Sequence, residues 1–442
     1  MKHRIGRRIF VKQGALAFMA LGLPPDFLLR PLLAGTRGMD RKKTLICIFQ
    51  RGAVDGLNMV VPFGEDAYYS VRNSIAVPRP TRGQDGAALD LDGFFGLHPA
   101  LQPLLELYRS GEMAIVHAVG SPHPTRSHFD AQDFMETGTP GVKTTTDGWL
   151  NRVLQETACS DCGGRTLNDA TAHAADHAAG QTAMATVPSL RGVAMGTVLP
   201  RSLRGDHPAL AIPDLAAFGV RGGDALERGF RRVYRTGRGD AVTSAADEAF
   251  EAIKILENLD PSRYTASNGA EYPRGEFGRS LQQIAQLVKA DVGVEIAFAD
   301  IGGWDTHVGQ GGVRGQLAQR LRELGSGVAA LHRDLGDRME DVIILTMSEF
   351  GRTVAENGSG GTDHGHANCM LAIGGGVNGG KVLGRWPGLE REQLYEGRDL
   401  ALTTDFRDIF GEIVSGHLGV DRLERIFPAF ELDKTRYRGV LG

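Results

Sequence analysis

The chain has 442 residues, 42% of them hydrophobic, and a formal net charge of −4. That supplies enough apolar material for a sizeable core, and too little positive charge for bulk nucleic-acid binding. Sixty glycines fit a loop-rich architecture with tight turns at strand ends.

At the amino end, Arg7-Arg8-Ile9-Phe10-Val11-Lys12 is a twin arginine followed by an aromatic and a basic residue. Ala15 to Leu23 is apolar but too short to span a bilayer comfortably. The pattern resembles a Tat export signal over residues 1–34, with cleavage near Ala34. It implies the Tat translocase as a partner during export, a periplasmic or secreted product, and a cofactor loaded before export. The competing account is a basic, frayed terminus. No other segment is apolar and long enough for a stable membrane span.

Thr44 to Gln50 is β-branched and apolar and is predicted as the first strand, running into Arg51-Gly-Ala-Val-Asp55-Gly56-Leu-Asn58. Asp55, just past that strand, suits a metal; as part of an Asp-Gly pair it suits a turn equally. Leu101, Leu104, Leu105 and Tyr108 share a face of a helix over Leu97–Arg109, with Pro99 in its first turn and Gly111 ending it. Met113 to Val119 is a second strand. It leads into Pro-Thr-Arg126-Ser127-His128-Phe-Asp130, where the prolines stop and a helix begins near Ser127. Backbone N–H groups at a helix start favour an anion, which suits Ser127 as a nucleophile beside Arg126 and His128. The competing account is a capping box, with Ser127 as cap and Asp130 closing it.

A short helix follows from Asp147 through Glu156. Residues 158–187 are rich in Ala, Thr, Gly and His without periodicity, and Pro200 to Arg238 looks irregular. Cys159 and Cys162 form a lone CxxC that suits a small disulfide outside the cytoplasm. His173 and His177 follow at nearly the spacing of a zinc site, inside what reads as a polar loop. Cys47 and Cys369 lie in apolar runs and read as buried thiols. Leu190 to Met195 is a candidate strand; Ala245–Leu259 and Phe277–Lys289 are helices. With no repeat and no clean linker, residues 40–442 form one domain with insertions near 158–238.

Val294 to Ala299 is the next core strand, ending in Gly302-Gly303-Trp304-Asp305-Thr306-His307. Asp305 and His307 are two apart, so an extended segment projects both to one face, as two ligands of one metal require. Otherwise Asp305 caps a turn and His307 stacks on Trp304. A helix over Val313–Leu335 leads to a buried strand, Val342–Met347, and then to Ser348, Glu349 and Arg352. A glycine-rich loop carries Asp363, His364 and His366, followed by a strand over Asn368–Ile373 and a closing amphipathic helix over Thr404–Leu418.

Four strand ends thus carry polar groups, and in a parallel sheet all carboxyl ends face one edge. Asp55, Asp305, His307, Glu349, His364 and His366 are candidate metal ligands; Ser127, Arg126, His128 and Arg352 are candidate catalytic residues. Carboxylates with imidazoles are the ligand set of a hydrolytic metal site, most naturally zinc, with manganese or calcium as alternatives.

The twin arginine, Arg-Gly-Ala-Val-Asp-Gly-Leu-Asn, Pro-Thr-Arg-Ser-His-Phe-Asp-Ala-Gln-Asp, Gly-Gly-Trp-Asp-Thr-His, Ser-Glu-Phe-Gly-Arg-Thr and Gly-Thr-Asp-His-Gly-His together resemble the DUF1501 proteins. These are exported bacterial relatives of the alkaline phosphatase and sulfatase superfamily. The resemblance implies a three-layer α/β/α fold around a mainly parallel sheet, metal ions, and a Ser127 nucleophile. It implies Asp55 as the ligand after the first strand, Asp305 and His307 as one metal's acid and imidazole, and His364 or His366 as the late histidine. Ser348-Glu349-Phe350-Gly351 stands where the superfamily has Ser-Asp-His-Gly. A phenyl ring offers no lone pair, so one of two metal sites is short of a ligand. The implied function is an exported metal-dependent hydrolase of phosphate or sulfate esters. The alternative is a degenerate member that binds an anionic glycan or an envelope partner.

Overall fold

The computed structural model describes residues 41–81, 86–161, 187–217, 251–257, 259–431 and 433–442. The expected export signal, Cys162, His173 and His177, and most of both insertions lie outside them. Within the described residues, Lys43–Gly442 is one compact unit.

Among the described residues, nine strands form the main sheet: β1 (Thr44–Arg51), β2 (Met113–Gly120), β3 (Gly192–Met195), β4 (Leu210–Ile212), β5 (Ile296–Gly302), β6 (Val342–Met347), β7 (Asn368–Gly374), β8 (Lys381–Leu383) and β9 (Thr404–Asp405). Their order is β8-β2-β7-β6-β1-β5-β3-β4, with β9 beside β2. β1 is central and pairs in parallel with both β5 and β6, Ile48 standing opposite Ala299 and Thr346. Only β7 runs against its neighbours β2 and β6. The sheet is therefore mixed but mainly parallel. Leu210–Ile212, inside the stretch expected to be irregular, is the edge strand; three apolar residues gave too short a signal to read.

Strand alternation builds the two cores. Ile46 and Ile48 face one side, Leu45, Cys47 and Phe49 the other, and all are fully buried. The first side packs against α3 (Glu276–Lys289) and α4 (Gln316–Leu335) through Leu281, Ile284, Leu321 and Val328. The second packs against α2 (Trp149–Asp161) and α5 (Phe406–Leu418) through Trp149, Val153, Phe410 and Ile413. The result is an α/β/α sandwich whose helices cover both faces, as a parallel sheet requires. α1 (His128–Thr137) begins just beyond the carboxyl end of β2. The helix expected over Leu97–Arg109 is split: Pro99–Leu104 winds as a 3₁₀ helix before an α-turn over Leu105–Arg109, with Pro103 at the junction. Among the described residues, no helix is long and apolar enough to cross a membrane.

The chain after β1 is pinned by a buried ion pair. Arg72 Nη1 lies 2.6 Å from Asp55 Oδ2, and both side chains are buried. Gln310 Nε2 also donates to Asp55 Oδ2, at 2.6 Å. Arg72 further donates to Asn58 Oδ1 and to the carbonyls of Val354 and Thr353. Removing one partner of such a pair strands a charge in a low-dielectric interior. Arg72→Met is therefore expected to cost about 3–5 kcal/mol, read by urea unfolding of the full chain. A loss below about 1 kcal/mol, the range of an exposed pair, would contradict this account.

Candidate functional site

Four separate segments meet at the carboxyl edge of the sheet. His128 opens α1, Asp305 and His307 follow β5, Glu349 and Arg352 follow β6, and His364 precedes β7. The reversal of β7 explains the last of these. Its amino end lies where the other strands have their carboxyl ends, so a residue before β7 reaches the same rim.

The backbone there is closely threaded. Arg352 and His364 form a short antiparallel bridge, and Gly351 N–H donates to the His366 carbonyl at 2.8 Å. A Cβ on Gly351 would run into the Ala367 carbonyl, so only glycine lets the two arms pass. Gly52 adopts φ +116°, and a Cβ there would press on the Asp305 amide. Its own N–H donates to Glu349 Oε1 at 2.8 Å.

Each of the three histidines has Nδ1 bonded to an oxygen that can only accept. His128 Nδ1 donates to Glu349 Oε1, His307 Nδ1 to Asp363 Oδ1 and His364 Nδ1 to the Arg126 carbonyl, each at 2.8 Å. The proton is therefore fixed on Nδ1 in all three rings. Their Nε2 atoms face inward toward Asp305. His307 Nε2 lies 3.0 Å from Asp305 Oδ1, His364 Nε2 lies 3.3 Å from it, and His128 Nε2 lies 3.5 Å from Oδ2. His307 Nε2 and His364 Nε2 are 3.0 Å apart. Two neutral imidazoles would set lone pair against lone pair there, so the contact calls for a proton or a cation between them. His128 Nε2 is buried with no hydrogen-bond partner. Donor atoms of His128, Asp305 and His364 all lie within 4.8 Å of one another, a spacing that could hold a metal ion.

Charged neighbours set the basicity of these groups. Burial raises the Asp305 carboxyl, but Arg352 Nη1 at 2.8 Å outweighs it and the pKa is lowered. The bond to His307 lowers Asp363. Burial raises Glu349 too, yet bonds from His128, Gln132 and Gly52 leave it lowered. The Glu349 bond raises His128 against the opposing effect of burial. Burial lowers His364, which favours its neutral form.

Several expected roles need correction. Glu349 is fully buried; its Oε1 already accepts from Gly52, His128 and Gln132, and its Oε2 lies 3.1 Å from Ser348 Oγ. It orients His128 instead of facing a cation. His366 is buried and stacked on the Tyr395 ring, centroids 4.3 Å apart. Asp55 Oδ2 is held by Arg72 and Gln310, while its buried Oδ1 has no hydrogen-bond partner. Arg126 pairs with Asp399 at 2.6 Å and Glu396 at 2.7 Å but stays partly exposed, whereas Arg352 is fully buried on Asp305. Ser127 is the residue before α1, but its side chain makes no capping bond. Asp130 bonds Lys143 at 2.7 Å and so closes no capping box. Ser127 is an exposed residue whose chain neighbours are His128 and Arg126, the Arg126 carbonyl accepting from His364. Phe350 backs the site, its ring 5.0 Å from that of His128 and 5.1 Å from that of His364. Arg72, Gln132 and Gln310 were not singled out from the sequence, because nothing local marks them as partners of Asp55 and Glu349.

Residues 113–424 match the model of a family described as a protein of unknown function, DUF1501. No curated protein matches the sequence. Among solved structures, the C-terminal periplasmic domain of EcEptC from Escherichia coli, a complex with Zn, is similar at 8% identity and a TM-score of 0.34, covering 76% of this chain and 74% of that one. The sulfatase PsFucS1 from Pseudoalteromonas sp. is similar at 11% identity and a TM-score of 0.35, covering 93% of this chain and 74% of that one. Both likenesses are slight, and the chemistry below is derived from this chain's own side chains.

The Glu349–His128 pair has a defined pH window. A raised folded-state pKa means His128 stabilises the fold below its ordinary value of 6.5, an effect lost as pH rises through the folded value. Glu349, lowered from 4.5, stabilises above that value, an effect lost as pH falls through its folded pKa. In metal-free protein, NMR titration is expected to place His128 above 6.5 and His364 below it. Glu349→Gln is expected to bring His128 down; a His128 titration unmoved by that change would show that the bond does not form in solution.

Proposed function

The chain belongs to the DUF1501 family, and we propose that it holds one divalent cation and hydrolyses phosphate or sulfate esters. The observation that carries this reading is the set of three imidazoles, each with its proton held on Nδ1, whose Nε2 atoms converge on one carboxylate. His128, His307, His364 and Asp305 would hold the ion, a nitrogen-rich donor set that fits zinc. Glu349 and Asp363 act as the carboxylates behind His128 and His307, and Arg352 behind Asp305, as outer partners commonly do in metal sites. When bound, the cation supplies Lewis acidity to an ester oxygen and to a nearby hydroxyl.

One ion fits better than two. Asp55, the residue that would open a second site, is already neutralised by the buried Arg72 guanidinium. Phe350 supplies a ring with no lone pair. Ser127 is the proposed nucleophile, being exposed, uncapped and adjacent to two segments that hold donors. Anionic ester oxygens would meet the first N–H groups of α1. Export through the Tat route is proposed on the Arg7-Arg8 motif and the apolar stretch behind it.

The rival reading, a non-catalytic binder of an anionic glycan or envelope partner, has one observation in its favour: Phe350 packs on His128 and His364 where a second metal would need a ligand. Elemental analysis after zinc loading is expected to give one equivalent per chain. His128→Ala and Asp305→Asn are expected to abolish retention. In a screen of aryl phosphates, diesters and sulfates, Ser127→Ala is expected to cut turnover by about 10³-fold or more while zinc is retained. Retained zinc with no turnover of any ester would favour the binder; no zinc, manganese or calcium retained would sink both the metal site and the hydrolase.

A further inference from the structure

Asn357-Gly358-Ser359-Gly360-Gly361, the glycine-rich run before His364, supplies no donor atom to the imidazole cluster. It packs instead on the segment that carries His307. Gly309 N–H donates to the Ser359 carbonyl at 3.0 Å, Gln310 N–H to the Gly360 carbonyl at 2.9 Å, and Thr362 N–H to the Thr306 carbonyl at 3.1 Å. A Cβ on Gly361 would lie 2.4 Å from the His307 carbonyl, so only glycine lets the two backbones lie this close. The run's own N–H groups turn inward: Ser359 and Gly361 donate to Asn357 Oδ1, and Gly360 to the Asn357 carbonyl. That leaves few N–H groups for a backbone nest that would hold a phosphate.

Asn357 is the hub of this packing, and its partners fix which way its amide points. Oδ1 accepts from Ser359 N–H at 2.9 Å and Gly361 N–H at 3.1 Å, groups that can only donate. Nδ2 donates to the His307 carbonyl at 2.9 Å and to Asp363 Oδ1 at 3.1 Å, groups that can only accept. Asp363 Oδ1 is the same atom that takes the His307 Nδ1 proton. The two arms of the cluster differ here. Glu349, behind His128, is fully buried and also held by Gly52 and Gln132. The Asp363 side chain is 52% exposed, so burial does not hold it in place. Asn357 grips it, and the backbone of His307 with it.

Resting on the metal reading above, we propose that Asn357 is a positioning residue of the cation site. Its amide ties the His307 carbonyl to the Asp363 carboxylate and so aims His307 Nε2 at the ion. The glycine-rich run is then a clamp on the exposed imidazole, the counterpart of the buried Glu349 and Gln132 behind His128. Asn357 touches neither the ion nor a substrate; it acts through His307.

Asn357→Asp separates this role from a purely structural one. The carboxylate still accepts from Ser359 and Gly361, so the turn keeps its bonds, but both donors to His307 and Asp363 are lost. Zinc affinity of the full-length protein is measured by competition with a chromophoric chelator, for the wild type, Asn357→Asp, His307→Ala and the double variant. Asn357→Asp is expected to weaken zinc binding about 10–100-fold, the range of such outer partners. Its added negative charge alone would tighten a cation, so weakening reports lost positioning. In the His307→Ala protein, which keeps three donors, the same change is expected to weaken binding no further. Unchanged or tighter zinc in Asn357→Asp, or an equal loss in both backgrounds, overturns the inference and leaves the metal reading standing. So does His307→Ala with no loss of affinity. Should Asn357→Asp fail to fold, Asn357→Ala is read in the same cycle against the same outcomes. A wild type that retains no zinc removes the metal reading and this inference with it.

Discussion

The site depends on where three protons sit. Each imidazole of His128, His307 and His364 gives its Nδ1 hydrogen to an oxygen that cannot return one: Glu349, Asp363 and the Arg126 carbonyl. The rings are thereby fixed in one tautomer, and their remaining nitrogens turn toward Asp305. The acceptors come from the turn after β6, from the glycine-rich loop before β7 and from the peptide before α1. The fold thus brings three parts of the chain to one sheet edge before any ligand arrives. Burial keeps the arrangement costly to break, because Glu349 has no solvent to fall back on.

Three carboxylates at or near this rim are paired with arginines. Arg72 answers Asp55, Arg352 answers Asp305, and Arg126 answers Asp399. The first of these pairs makes the site asymmetric: a guanidinium provides the positive charge that a second ion would otherwise bring to Asp55. The second trims the basicity of a carboxylate that three imidazoles already approach, leaving Oδ2 toward His128.

Much of this was legible in the sequence. β-branched runs marked the core strands, and the two-residue spacing of Asp305 and His307 put both at one locus. His364 was named for its place in a glycine-rich loop. His128 was noticed as a neighbour of Ser127, although its imidazole, not the serine, joins the cluster. What could not be read was pairing at long range. That β7 runs antiparallel, that Arg72 closes on Asp55, and that Glu349 turns inward to His128 all depend on which strands become neighbours. Local composition carries no record of that. Leu210–Ile212 escaped notice because three residues are too short a run to separate from noise. His366 was indistinguishable from His364 two residues away; packing on Tyr395 decides between them.

Anomalous diffraction at the zinc edge from crystals grown with zinc would test the central claim most directly. The account predicts one strong peak, about 2.0–2.2 Å from Nε2 of His128, His307 and His364 and from an Asp305 oxygen, with Arg72 still on Asp55. A second peak beside Asp55, or no peak among the three imidazoles, would contradict it.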